Sequence, residues 1–289
     1  MKKYALKFLV IIFASILFWS CTCSKSQASD LGKYELVSSH NTITVTKDIA
    51  YREGNSESWK LDLAVPQTSI EGLRPALVVI HGGGWGAGSK SVDVYQKMMI
   101  DYAQKGYVVI NVEYRLTGEA PFPACIEDVK CAVRWLKAHS KELQVDPDRI
   151  GAYGHSAGAH LALMVAMTSD NPELEGDGDW KEFSSSVNVA AAGSPPTELG
   201  RDVPMAKEIW WPIGYIGKNH PPLFLIQGRS DRVVLPERTR DFVEKMKTIG
   251  ADIKYLEVEG GHGVAYAEKL EITDPALESF FAEHLNPRK

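Results

Sequence analysis

Cysteine is scarce in this chain, and its placement excludes a disulfide-built fold. There are 4 cysteines in 289 residues, and Cys21 and Cys23 lie near the N-terminus. The other two, Cys125 and Cys131, stand six positions apart in a stretch, 123–136, with helical periodicity. Six residues along a helix cover about 9 Å, beyond disulfide reach, so both read as unpaired thiols in or near the core. Long apolar runs are also missing. Residues 8–19 form a run of 12 interrupted only by Ser15. As a helix it would reach about 18 Å against a hydrocarbon core of ~30 Å. Behind Lys2, Lys3 and Lys7 it reads as a signal peptide rather than an anchor helix. There is no excess of positive charge. The formal charge is −5, and loss of the three leader lysines would take it to −8. That argues against nucleic acid or an anionic membrane surface as a partner. The 8 histidines are scattered, with no cluster at metal-ligand spacing, so neither a metal nor an organic cofactor is implied.

What is present is an alternation of strand and helix patterns. Residues 42–46 and 58–65 alternate as strands around turn residues 52–57, an antiparallel start. Residues 75–80 form a continuous apolar strand of the buried, parallel kind. Strands follow at 107–112, 149–153, 187–192, 222–226 and 253–258, and helices at 92–105, 124–139, 157–167, 236–249 and 275–285. The pattern predicts an α/β fold with a mostly parallel, doubly wound sheet of about eight strands. The expected organisation is a signal peptide over 1–20, a tether over 21–35 and one domain over 36–289. The sequence leaves the oligomeric state open.

The rest is arranged around Gly154-His155-Ser156-Ala157-Gly158. The pentapeptide G-x-S-x-G alone arises by chance in roughly one chain in ten of this length, so its context decides. Here a short strand precedes it and an Ala/Leu/Met-rich helix follows. A serine on so sharp a turn is forced into strained backbone, with its Oγ lifted clear of the sheet. Gly154 and Gly158 let strand and helix pass closely. The Ala157 N–H then points at whatever the Oγ attacks.

A second glycine-rich loop, His81-Gly82-Gly83-Gly84-Trp85-Gly86-Ala87-Gly88, follows the strand at 75–80. It fails as a phosphate loop, because Ser89 intervenes between Gly88 and Lys90. Successive glycines instead let backbone N–H groups turn toward a developing negative charge, an oxyanion hole built from Gly83 or Gly84 with Ala157. His81 is expected to hold the loop by local hydrogen bonding, and Trp85 to pack as a lid on it or to touch a ligand.

With both motifs in place, the chain resembles the α/β-hydrolase superfamily. It is most similar to the hormone-sensitive-lipase-like and feruloyl or acetylxylan esterase branch of exported bacterial enzymes. Residues 111–116, 127–136 and 146–160 carry the likeness further. It departs at Gln227 and Arg229, where members often have His and Asp. The resemblance implies a serine ester hydrolase whose triad runs Ser, acid, His in chain order. Ser156 is then the nucleophile. Of the later histidines, His220 precedes its strand at the wrong sheet edge, and His284 is expected to be solvated near the chain's end. His262, in Glu259-Gly-Gly-His-Gly263, follows a strand at the carboxyl edge and is the expected base. Asp231 is the expected acid, with Asp202 and Glu198 as fallbacks. His160 and His155 are read as structural, and Asp128 and Glu113 as members of structural ion pairs.

Residues 205–216 have room to form only a small cap. Its Trp210, Trp211 and Tyr215 could stack on a sugar or aromatic acyl group, or pack as a helix on the sheet. The stretch around Cys21 is similar to a bacterial lipoprotein signal, with that cysteine acylated. Export and the resemblance together imply an acetyl or feruloyl ester on plant cell-wall polysaccharide as the substrate. A general small-acyl carboxylesterase or lipase, an exported serine peptidase and a non-catalytic glycan-binding lipoprotein are the rival readings.

Overall fold

Alternation along each strand divides the apolar residues between two cores. In the computed structural model, Ala76, Val78 and Ile80 face one core, and Leu77 and Val79 the other. Val108, Ile110 and Val112 face the first, and Val109 the second. A strand buried on both faces must be apolar throughout, as these are. The structure describes residues 33–37, 42–169, 171–198, 208–217 and 219–285. The leader, Cys21 and most of the expected tether lie outside them.

Nine strands form one sheet: β1 (Lys33–Val37), β2 (Thr42–Ala50), β3 (Lys60–Pro66), β4 (Arg74–Ile80), β5 (Val108–Val112), β6 (Val145–His155), β7 (Val189–Gly193), β8 (Leu223–Gly228) and β9 (Ile253–Val258). Their spatial order is β1-β2-β3-β5-β4-β6-β7-β8-β9. The pairings β1–β2, β2–β3 and β3–β5 are antiparallel, and those from β5 through β4 to β9 are parallel. One core packs under α2 (Ala124–Ala138), α3 (Ala157–Met167) and α4 (Pro236–Thr248). The other packs under α1 (Asp93–Gln104) and α5 (Leu270–Leu285). This is the α/β-hydrolase fold, and the strand order reverses at β4, where such sheets place their ligands.

The sheet expected to have about eight strands has nine, and the start of the last helix is corrected. The added one, β1, begins inside the stretch read as a tether, because Lys33-Tyr-Glu35 carries no apolar run. It is an edge strand, where charged residues belong. The last helix starts at Leu270, five residues before Pro275. Pro275 forgoes only its own N–H bond to the carbonyl of Glu271. The turn before it is anchored by Thr273, buried, whose Oγ1 donates to the Val264 carbonyl at 3.2 Å.

Cys125 and Cys131 are both buried and unpaired, as read from their spacing. Asp128, on α2, is fully buried and receives a two-pronged hydrogen bond from Arg115 at 2.8 Å on each oxygen. Its role is therefore structural. His284 is not solvated as expected but half-buried, its ring 4.8 Å from that of Phe280.

Candidate active site

β6 ends at His155 and α3 begins at Ala157, so Ser156 alone makes the turn between them. Its φ of 57° and ψ of −120° lie in a region that costs an L-residue energy. The strain persists because the turn is held on both sides: the Ser156 N–H donates to Gly193 O at 2.8 Å, and His160 N–H to Ser156 O at 3.0 Å. A Cβ on Gly154 would overlap the backbone of Gly158, and one on Gly158 would overlap the carbonyls of Ile80 and His81. Close passage of α3 over β6 and β4 therefore requires both glycines.

The loops after β8 and β9 bring Asp231 and His262 to this turn. His262 Nε2 lies 3.0 Å from Ser156 Oγ, and Nδ1 lies 2.8 Å from Asp231 Oδ2. A carboxylate only accepts, so Nδ1 carries the hydrogen and Nε2 is left to accept from the serine hydroxyl. Asp231 is 3 % exposed. Burial alone would raise its pKa, but the bond from His262 and the N–H groups of Val234 and Val233, at 3.0 and 2.8 Å, hold it below the usual carboxylate range. It therefore stays ionised at neutral pH.

Several residues that hold this line were not assigned from the sequence. Gln227, buried beneath Asp231, donates from Nε2 to Asp231 Oδ2 at 3.0 Å and to Val234 O at 3.1 Å, while its Oε1 accepts from Thr239 at 2.9 Å. The position where the sequence departs from the family pattern is thus a bracket for Asp231. Arg229, the other departure, is exposed and pairs with Glu257 and Glu259. The His262 carbonyl accepts two side-chain bonds, from His155 Nε2 at 2.7 Å and from Ser194 Oγ at 3.1 Å. Burial pushes the His155 pKa down to about 4, so the ring is neutral near pH 7, and it stacks on Tyr266 at 5.0 Å. A histidine next to a G-x-S-x-G serine was the available signal. A structural role for His155 was legible, but that it holds the loop carrying His262 was not.

Among the described residues, no group accepts from the N–H of Gly83, Gly84 or Ala157. The Gly82 N–H is occupied, donating to the Tyr95 hydroxyl at 2.7 Å. Gly83 and Gly84 have φ of 127° and 60°, which glycine adopts without strain. His81 holds this loop: Nδ1 donates to Gly82 O at 2.8 Å, and the ring stacks on Tyr114 at 4.2 Å. Glu113 faces it, with Oε1 3.1 Å from His81 Nε2.

A cleft of about 170 Å³ opens over Ser156, lined by Trp85, Pro196, Glu198, Val233, Leu235 and Arg238 among others. Trp85 thus reaches the cleft while also donating from Nε1 to His160 Nδ1 at 3.2 Å. His160 Nε2 donates to Trp210 O at 2.7 Å. That pair of bonds needs a neutral ring, and burial holds the His160 pKa near 4.

The cap reading is corrected in two residues. Trp211 and Tyr215 are 4 % and 3 % exposed, so neither offers a face to a ligand. Trp211 packs against Trp85 and His160, and the Tyr215 hydroxyl donates to Ile209 O at 2.7 Å. The described part of this stretch forms two 3₁₀ turns, Glu208–Trp210 and Pro212–Tyr215, rather than a helix. Trp210 is half-buried, 5.5 Å from Phe122. Asp202 lies outside the described residues. Glu198 faces Arg238 rather than His262. No group of potential metal ligands occurs among the described residues.

Proteins similar to this chain include esterases. The chain is 28% identical over 220 residues to Esterase LipC of Mycobacterium tuberculosis, covering 65% of this chain and 53% of LipC. It therefore spans about half the length of that relative. Thermogutta terrifontis esterase 2 superposes with a TM-score of 0.72 at 27% identity, over 84% of this chain and 97% of that one. A truncated carbohydrate esterase from gut microbiota superposes with a TM-score of 0.73 at 23% identity, over 84% and 96%, a likeness of fold. The BD-FAE family model matches residues 61–208, just over half of the chain, from β3 through the serine turn to the first turn of the cap, and the chain belongs to that family.

Proposed function

We propose that the chain is a serine carboxylic ester hydrolase acting through an acyl-enzyme. The observation that carries this reading is the unbroken line from Ser156 Oγ through His262 to ionised Asp231, under a cleft with unpaired N–H groups beside it. His262 Nε2 takes the hydroxyl proton as Ser156 Oγ attacks the ester carbonyl. The N–H groups of Ala157 and of Gly83 or Gly84 receive the oxyanion; each such donor is typically worth about 10²–10³ in rate. As the tetrahedral intermediate collapses, Nε2–H protonates the leaving alkoxide. A water, deprotonated by the same nitrogen, then releases the acid and restores Ser156. Asp231 fixes the tautomer and stabilises the imidazolium.

The substrate we infer is an acetyl or feruloyl ester on a plant cell-wall polysaccharide. Supporting this are the resemblance to exported esterases and a cleft with room for about six water volumes, suited to a small acyl group rather than a long chain. An exported, lipid-anchored protein fits the N-terminal sequence, and radiolabelled palmitate retained by the chain but lost on Cys21→Ala would test it.

The deciding experiment is acid release from acetylated xylan and from methyl ferulate. Release from one of them, lowered by about 10⁴-fold or more in Ser156→Ala, is the expected result. No release from either, together with no labelling of Ser156 by a fluorophosphonate, would discard the reading.

A further inference from the structure

Three loops wall the cleft over Ser156, leaving the carboxyl ends of β4, β7 and β8. The third of them does two jobs. It supplies Asp231 and then Val233 and Leu235 of the wall, and the first turn of α4 behind it supplies Arg238. Val233 is 71% exposed and Leu235 44%, an apolar strip at the mouth. Opposite, the β7 loop supplies Glu198.

Arg238 Nε lies 3.9 Å from Glu198 Oε1, beyond hydrogen-bond length, and the two side chains are 37% and 38% exposed. Among the described residues, neither charged group makes a hydrogen bond. The cleft thus presents a guanidinium fork and a carboxylate side by side, each close enough to cancel the other's charge and neither satisfied by it. Such a pair is poorly matched to an anion, which would meet Glu198. It is equally poorly matched to an alkyl chain, which would strip water from both charges without replacing their bonds. Adjacent hydroxyl groups suit it: an O–H donates to the carboxylate, and a neighbouring oxygen accepts from the guanidinium. A sugar ring combines that polar rim with an apolar face that can lie on the strip at Val233 and Leu235.

We propose that Arg238 and Glu198 form a hydroxyl-reading wall that selects a neutral sugar unit as the alcohol part of the substrate. The inference rests on the ester-hydrolase reading for its chemistry, but binding tests it independently. In a Ser156→Ala chain, affinity for a neutral acetylated xylo-oligosaccharide is measured by calorimetry, with Arg238→Met and with Glu198→Gln added separately. Each substitution is expected to weaken binding by about tenfold or more. Glu198→Gln, which leaves the Arg238 charge uncancelled, is also expected to shift preference toward an oligosaccharide bearing a glucuronate. Melting curves confirm that the variants are folded, and Arg238→Lys, keeping the charge without the fork, is expected to recover only part of the affinity. Absence of binding to the neutral oligosaccharide, or binding indifferent to both substitutions, overturns the proposal. Turnover of p-nitrophenyl acetate by the unsubstituted chain is read separately. An active chain with indifferent binding keeps the hydrolase and loses the wall, whereas an inactive chain with sensitive binding does the reverse.

Discussion

His155 adjoins Ser156 in sequence yet acts across the site, on the backbone of His262. Its Nε2–H and the Ser194 hydroxyl together occupy the His262 carbonyl, and this fixes where the ring stands over the serine. His155→Leu leaves Ser194 to hold the carbonyl alone, and in the proposed mechanism a small displacement of His262 is costly to rate. The expected outcome is a fall in kcat of about ten- to a hundredfold on p-nitrophenyl acetate, with KM nearly unchanged. His155→Gln, which keeps an N–H donor, should recover most of it; a Gln variant as slow as the Leu variant would refute the positioning role. Few residue types can serve as nucleophile, base or acid, so motif and chain order single out Ser156, His262 and Asp231 as candidates, and the fold brings these three side chains within hydrogen-bond distance of one another. Gln227 was not legible, because its role exists only once β8 carries it beneath Asp231 and beside Thr239. Trp211 and Tyr215 were equally ambiguous in sequence, since an aromatic residue serves a binding face and a packed interior alike.

The strand–turn–helix unit from β6 to α3 is where local sequence and tertiary packing agree most closely. Ser156 carries the strain, and Gly158 lets the helix lie against the end of β4. Gly158→Ala would press a methyl group into the carbonyls of Ile80 and His81, which belong to a central strand and the glycine-rich loop after it and cannot give way. We expect a loss of about 3 kcal/mol. For a chain of this size that is a fall in melting temperature of roughly 6–12 °C by calorimetry. Gly118→Ala, at a site with nothing within 4 Å and no positive φ, serves as the comparison and should change stability by less than about 0.5 kcal/mol. Equal effects at the two positions would remove the packing argument. The elements misjudged from sequence were β1 and the start of α5. Both depend on a partner, β2 for the one and the Val264 carbonyl for the other, rather than on their own periodicity.

Across the whole molecule, stability should fall on acidification through groups that folding keeps neutral. His155 and His160 are held at about 4 by burial, against 6.5 unperturbed. The unfolded chain therefore binds protons that the folded one refuses between pH 6.5 and 4. The stability they contribute is complete above pH 6.5 and lost as pH falls toward 4, on the order of 3 kcal/mol for each. Urea unfolding at pH 7 and at pH 4.5 should show the loss, and His160→Gln should reduce it; an unchanged slope in that variant would contradict it. The lowered carboxyl of Asp231 acts in the same direction at lower pH, whereas burial raises the pKa of Asp128, which acts in the opposite direction. The sequence by itself determined the α/β class, the serine turn and the glycine loop, because backbone geometry admits few residue types at those places. Only the tertiary structure decided which aromatics were buried, that Gln227 brackets Asp231, that His155 and Ser194 hold the His262 carbonyl, and that Glu198 and Arg238 face each other beside Ser156. Those roles depend on which loops meet at the carboxyl edge of the sheet, and no local pattern in the sequence encodes which distant segments become neighbours.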